Sequence, residues 1–296
     1  MKTWMLAVLM FMIAVAIQQS PAQAQTQTQS PYGGNPAAGH TAEINGIKIY
    51  YEIYGEGEPL MLLHGNGASI GAFSLQIPEL SKHFKVIAVD SRAQGRSTDS
   101  DAEITYALMA SDMSALISQL HLGSVNVLGW SDGGNIGLEL ALAHPEQVKK
   151  LITFGANYTH VDYEAPPDNV TMQPDDPRLL STKSAIDAAV KTRQPSTEAV
   201  QKKLNDLMEK YPNITIAQLH TIQPPVLVVA GDHDVIKLEQ TVSLFRNLPH
   251  AELWVVPGAT HFVAMEKPEV VNRAAISFFT TPYRDISSRY WTTLLP

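Results

Sequence analysis

The chain of 296 residues contains no cysteine. That absence excludes a disulfide framework, a thiol nucleophile and a thiolate-bound metal. Positive charge is also scarce: 21 Lys and Arg stand against 29 Asp and Glu, a formal net charge of -8. Without a basic footprint, nucleic acid is not an expected partner. Charged residues are only 17% of the chain and hydrophobic ones 45%, which suits one large globular domain, or a domain plus a small insertion, and not disorder. Long apolar runs are missing too, except at the N terminus.

That exception spans residues 5–17, after Lys2 and before Ser20-Pro21-Ala22-Gln23-Ala24. It is shorter than the roughly 20 apolar residues that span a bilayer. The small-x-small pattern behind it is the one signal peptidase reads. Residues 1–24 are therefore expected to be a signal peptide, and the mature protein to be exported, periplasmic or secreted, and free of the membrane after cleavage. Residues 25–40 are polar and rich in Gln, Gly and Pro, the composition of a flexible leader, so the folded domain is expected to begin near Thr41.

From there the chain alternates. Asn45-Gly46 between the stretches 41–44 and 47–54 predicts a β-hairpin with a two-residue turn. Short continuous apolar runs follow at 59–63, 85–89, 124–128, 150–154, 225–230 and 252–256, the pattern of strands buried on both faces of a parallel sheet. Helical spacing appears between them at 72–81, 105–120, 133–144, 239–247 and 268–279. Strand-helix alternation predicts a doubly wound, mostly parallel α/β sheet. The exception is 158–223, where no strand is legible and helical stretches near 184–191 and 197–210 are broken by prolines. A structureless loop of that length is improbable inside a compact domain, so this segment reads as an inserted helical cap, leaving 41–157 and 224–296 as the core.

Three loops carry candidate chemistry. Gly129-Trp130-Ser131-Asp132-Gly133 fits G-x-S-x-G and stands directly between an apolar strand and a helix. A serine hydroxyl is a poor nucleophile; it must protrude on a sharp strand-to-helix turn where a base reaches it, and flanking glycines relieve the crowding. Gly231-Asp232-His233-Asp234 and Gly258-Ala259-Thr260-His261 likewise follow apolar strands. In an open α/β sheet the ligand crevice lies at the carboxyl ends of the strands, so serine, acid and histidine meet at one edge in the order Ser, Asp, His. Asp232 and Asp234 compete for the acid. Asp234 is preferred because it lies further into the loop, where it can turn back to His261, whereas Asp232 is placed to cap the turn. The loop His64-Gly65-Asn66-Gly67 suggests an oxyanion site, with the backbone N–H groups of Asn66 and Asp132 as the donor pair; the lysine of a phosphate loop is absent.

Together these residues resemble the α/β-hydrolase superfamily over nearly all of residues 41–282. Asp90-Ser91-Arg92-Ala93-Gln94-Gly95-Arg96-Ser97 is similar to the family's D-x-R-G-x-G-x-S loop, with Ala93 at the usual glycine, and His64-Gly65 matches its oxyanion-loop H-G. Gly129-Trp130-Ser131-Asp132-Gly133-Gly134 and Phe154-Gly155-Ala156-Asn157 resemble the valacyclovir hydrolase branch. There the acid after the serine is thought to hold an amino group, which implies that Asp132 favours amino-acid esters or other cationic substrates. The expectation is a serine hydrolase acting on a small-molecule ester with no metal or organic cofactor. A carbon–carbon bond hydrolase or perhydrolase would share the triad, and a ligand-binding receptor with negligible turnover would share the fold. Oligomeric state is not legible.

Overall fold

The computed structural model describes residues 32–160, 177–192 and 195–284. The expected signal peptide lies outside the described residues, as do 25–31 of the leader, 161–176 and 193–194 of the expected cap, and 285–296.

Eight strands form one sheet: β1 (Gly39–Ile44), β2 (Ile47–Tyr54), β3 (Pro59–Leu63), β4 (Lys85–Val89), β5 (Val125–Trp130), β6 (Val148–Phe154), β7 (Val226–Gly231) and β8 (Ala251–Val256). Their order is β1-β2-β4-β3-β5-β6-β7-β8. The hairpin pairs antiparallel within itself and onto β4, and every later pairing is parallel. Asn45 and Gly46 both take positive φ, 47° and 77°, as a tight turn between twisted strands requires.

The helices are α1 (Ile77–Leu80), α2 (Tyr106–Gln119), α3 (Asp132–Ala143), α4 (Pro177–Thr192), α5 (Glu198–Lys210), α6 (Ile216–Leu219), α7 (Leu238–Asn247), α8 (Val263–Glu266) and α9 (Pro268–Thr280). They cover both faces. Along β3, Met61 and Leu63 point into one core with Met113 of α2 and Ile136 of α3, while Leu60 and Leu62 point into the other with Leu80, Ala275 and Ala189. This is why the strand reads as an unbroken apolar run: alternate residues serve different cores. Each such fully buried side chain contributes roughly 1.5–3 kcal/mol relative to exposure.

Two expectations are corrected. The helix expected over 72–81 is a 3₁₀ turn, Ile70–Phe73, followed by the one-turn α1. Pro78 lacks the amide a continuous helix needs, and Gly71 is pressed so closely on α4 that a Cβ there would stand 2.5 Å from the Ala188 carbonyl oxygen. The leader also ends earlier than Gly39–His40, which already pair in β1, and residues 33–35 are fastened. Glu52, fully buried, accepts from the Gly33 and Asn35 N–H groups and from the Tyr50 and Tyr54 hydroxyls, each at 2.8 Å. Four donors offset the cost of burying that carboxylate, so the strand recruits the leader to satisfy itself.

The segment 158–223 holds α4, α5 and α6, and among the described residues its only β pairing is one isolated bridge, Thr159 with Asn213. No helix among the described residues is long and apolar enough to cross a membrane.

Candidate active site

The loops that leave the carboxyl ends of β3, β5, β7 and β8 carry the candidate residues. At the β5–α3 junction Ser131 adopts φ 55°, ψ −120°, a region that L residues avoid and that costs on the order of 1–3 kcal/mol. The surroundings over-determine it. Its N–H donates to the Phe154 carbonyl at 2.7 Å, and its carbonyl accepts from Gly134 and Asn135 at 2.8 and 3.2 Å. Glycine is obligatory on both sides: a Cβ at Gly129 would lie 2.2 Å from the Gly133 oxygen, and one at Gly133 would lie 1.9 Å from the Leu63 oxygen.

His261 Nδ1 lies 2.8 Å from Asp234 Oδ1, and Nδ1 must donate because a carboxylate only accepts, which leaves Nε2 as the basic nitrogen of the neutral ring. Asp234 Oδ1 also accepts from the Ile236 N–H at 2.9 Å, while Oδ2 is buried with no donor from the described residues. Burial acts to lower the His261 pKa, but Asp234, together with Asp132 and Glu266, outweighs it and the net shift is upward. Asp232 does something else. Its side chain accepts from the Ala259 N–H at 3.1 Å, tying the β7 loop to the β8 loop, and backbone N–H groups led by that of Gly258 hold its carboxyl below the ordinary range.

Asn66 and Asp132 come together on adjacent loops: Asn66 Nδ2 donates to Asp132 Oδ2 at 2.8 Å. Among the described residues neither backbone N–H meets a protein acceptor. Gly65 is packed on the Ser131 turn, where a Cβ would stand 3.1 Å from the Ser131 Cβ. His64 is buried and structural: Nδ1 donates to the Gly65 carbonyl at 2.8 Å and Nε2 accepts from the Ser91 N–H at 3.1 Å. Burial pushes its pKa down to about 4, so the ring is neutral. The Asp132 carboxylate, expected to reach a substrate amino group, is buried and already accepts from Tyr106 Oη and Asn66 Nδ2, both at 2.8 Å.

Some participants carry no recognised role in the sequence. Gly155, at φ 59°, ends β6 beneath the histidine, where a Cβ would stand 2.5 Å from His261 Nδ1. Trp130 donates from Nε1 to the His261 carbonyl at 2.9 Å, and its ring lies 5.9 Å from the imidazole. Glu266 accepts from the Thr260 N–H and hydroxyl at 2.7 and 2.9 Å, fixing the residue before His261. A glycine directly after a parallel strand was the one signal available for Gly155; nothing local marks Trp130 or Glu266.

The helices of 158–223 rest on the same loops. Ser69 Oγ donates to the Ala189 carbonyl of α4 at 2.6 Å, and Ala185 and Ala189 share a core with Val263 and Met265 of α8. From α5, Lys203 pairs with Asp99 at 2.9 Å. No group of three or more potential metal ligands occurs among the described residues.

The fold and these loops define an α/β hydrolase, and the chain belongs to the α/β-hydrolase superfamily. A model of the α/β hydrolase fold matches residues 58–185. The chain is similar to the pimeloyl-[acyl-carrier protein] methyl ester esterase of Yersinia enterocolitica, 25% identical over 256 residues that cover 78% of this chain and 97% of that one. It is 26% identical to the (E)-2-((N-methylformamido)methylene)succinate hydrolase of Acinetobacter baylyi over 80% of this chain and 97% of that one. Among solved structures it resembles an N-acyl homoserine lactone degrading enzyme, with TM-score 0.68, 27% identity, and coverage of 81% of this chain and 100% of that one. Relatives of this kind support hydrolase activity.

Proposed function

We propose that this protein hydrolyses small carboxylic esters, with Ser131 as nucleophile, His261 as general base and Asp234 orienting that base. The strongest support is the backbone of Ser131, held in a strained conformation between strand and helix beside the loops of a carboxylate-bound histidine. Strain of that kind is retained where it aims a side chain.

In the proposed cycle His261 Nε2 takes the Ser131 hydroxyl proton as Oγ attacks the substrate carbonyl carbon. The negative charge that develops on the substrate oxygen is met by the N–H groups of Asn66 and Asp132, donors that need no reorganisation. Collapse breaks the ester C–O bond, and the imidazolium returns its proton to the departing alcohol. Water, deprotonated by the same nitrogen, then releases the acid from Ser131. These steps require no metal or organic cofactor. The esterase among the relatives supports an ester as substrate.

Steady-state hydrolysis of short p-nitrophenyl esters by residues 25–296, beside Ser131→Ala, tests the proposal. Turnover lost in the folded variant is expected. No turnover by the folded wild type would move weight to carbon–carbon bond hydrolysis or to a receptor, and undiminished turnover by Ser131→Ala would remove the nucleophile. Export is also proposed, on the signal pattern at 1–24; a mature chain beginning at Gln25 in the exported fraction is expected, and an uncleaved chain would refute it.

A further inference from the structure

The two N–H donors assigned above to the oxyanion stand on unlike supports. Asp132 opens α3, so helix geometry and the over-determined Ser131 turn fix its amide. Asn66 sits in the irregular stretch between β3 and the 3₁₀ turn, where no ladder or helix fixes its amide. Yet a donor displaced by about 1 Å can cost on the order of 100-fold in rate. Some other contact must hold the Asn66 loop in register.

The neighbouring Gly67 N–H donates to Gln94 Oε1 at 2.6 Å, and the contact that reaches from this loop to the Ser131 turn is made by side chains of the same two residues. Asn66 Nδ2 donates to Asp132 Oδ2 at 2.8 Å, and more distantly to the Leu204 carbonyl of α5 at 3.4 Å. The other carboxylate oxygen, Oδ1, accepts from Tyr106 Oη at 2.8 Å. All three side chains are shielded: Asn66 is 8% exposed, Asp132 4% and Tyr106 2%. Hydrogen bonds to a buried charge are shorter and stronger than neutral ones and are expensive to break. Burial raises the Asp132 pKa, and the bonds from Tyr106 and Asn66 act against that rise, as donors holding an ionised carboxylate do.

Resting on the proposed serine chemistry, we infer that Tyr106 and the Asp132 carboxylate are positioning residues that tether the Asn66 loop to the nucleophile turn and so set the spacing of the oxyanion donors. The carboxylate then serves the enzyme's own geometry and is not a counter-charge for the substrate.

Three variants test this. Asn66→Ala keeps the backbone N–H and removes the tether. Tyr106→Phe removes one hydroxyl and keeps the ring. The double variant asks whether Tyr106 acts through Asn66. Each is checked for folding by circular dichroism, then assayed on p-nitrophenyl acetate and on an amino-acid ester, with the inhibition constant of an aryl trifluoromethyl ketone as a readout of oxyanion binding. Asn66→Ala is expected to lower kcat about tenfold, short of the 10²–10³ for losing a donor outright, with KM nearly unchanged. The ketone should weaken by the same factor. Tyr106→Phe should lose less, and nothing further in the Asn66→Ala background. Both substrates should suffer equally.

Wild-type kcat and ketone affinity in Asn66→Ala would overturn the tether, as would additive losses in the double variant. A loss confined to the amino-acid ester would overturn it by assigning the carboxylate to substrate. If the wild type turns over no ester, the esterase proposal fails by itself, and ketone affinity still decides the tether. A ketone that does not bind the wild type overturns both.

Discussion

Two buried carboxylates anchor two parts of this molecule, and they are partnered differently. Asp112 on α2 is saturated by a permanent cation: Arg92 Nε and Nη2 reach its two oxygens at 2.8 and 2.7 Å, and Asn45 Nδ2 adds a third bond at 2.9 Å. Both side chains of that pair are almost wholly buried, at 1% and 0% exposure. Asp234 faces a conditional cation instead. His261 is charged only when it holds a second proton, and Asp234 keeps one oxygen without a donor from the described residues. A saturated pair with fixed charge locks the hairpin, the β4 loop and α2 together. A pair whose charge depends on one proton can store and release it.

The contrast predicts opposite phenotypes. Asp234→Asn should leave the fold standing and lower kcat by about 10⁴, because the imidazole loses the partner that fixes its tautomer and stabilises its charged form. Retention of more than a tenth of wild-type kcat would put the orienting acid elsewhere. Arg92→Met should do the reverse, costing about 3–5 kcal/mol in a urea titration by stranding the Asp112 charge in the core, while kcat per folded molecule stays close to wild type. A collapse of kcat in a variant of unchanged stability would erase the distinction. Asp232→Asn, on an exposed side chain, should have the smallest effect on turnover, and the ratio between the two Asn variants measures how far the two neighbouring acids differ.

The same comparison has a pH signature. Only neutral His261 can accept the serine proton, and its pKa is raised, so kcat/KM should climb with pH through a value above the 6.5 of a free imidazole. An acid limb at or below 6.5 would show that the carboxylates do not dominate the site in solution.

Much of this frame was legible in the residues. The apolar runs at 59–63 and 85–89 are the bounds of β3 and β4, and Asn45-Gly46 is the hairpin turn. The strand before Ser131 and the glycines on either side marked its turn: the crowding at Gly129 is local, against the Gly133 backbone, while that at Gly133 comes from the Leu63 backbone of β3. The stretch 72–81 misled because its helical spacing outweighed Pro78, which denies a continuous helix one amide, while the close packing of the Ala188 backbone on Gly71 comes from more than a hundred positions away. The leader misled for a like reason: its composition is that of a linker, but a carboxylate on β2 claims its amides.

What the sequence determined by itself follows from short-range physics: short continuous apolar runs give strands buried on both faces, three-to-four spacing gives helices, and glycines admit a turn no other residue can make. From these came the doubly wound sheet and the edge at which Ser131, Asp234 and His261 gather. What only the tertiary structure decided is how the groups at that edge are partnered. Asp234 and not Asp232 faces His261, Trp130 and Gly155 shape the ground beneath it, and Tyr106, Asp132 and Asn66 form one network. Asn66 and Asp132 stand 66 positions apart in the chain, and it is the pairing of β3 beside β5 that makes them neighbours. No local pattern records such a contact, because its geometry exists only once the strands are ordered in the sheet.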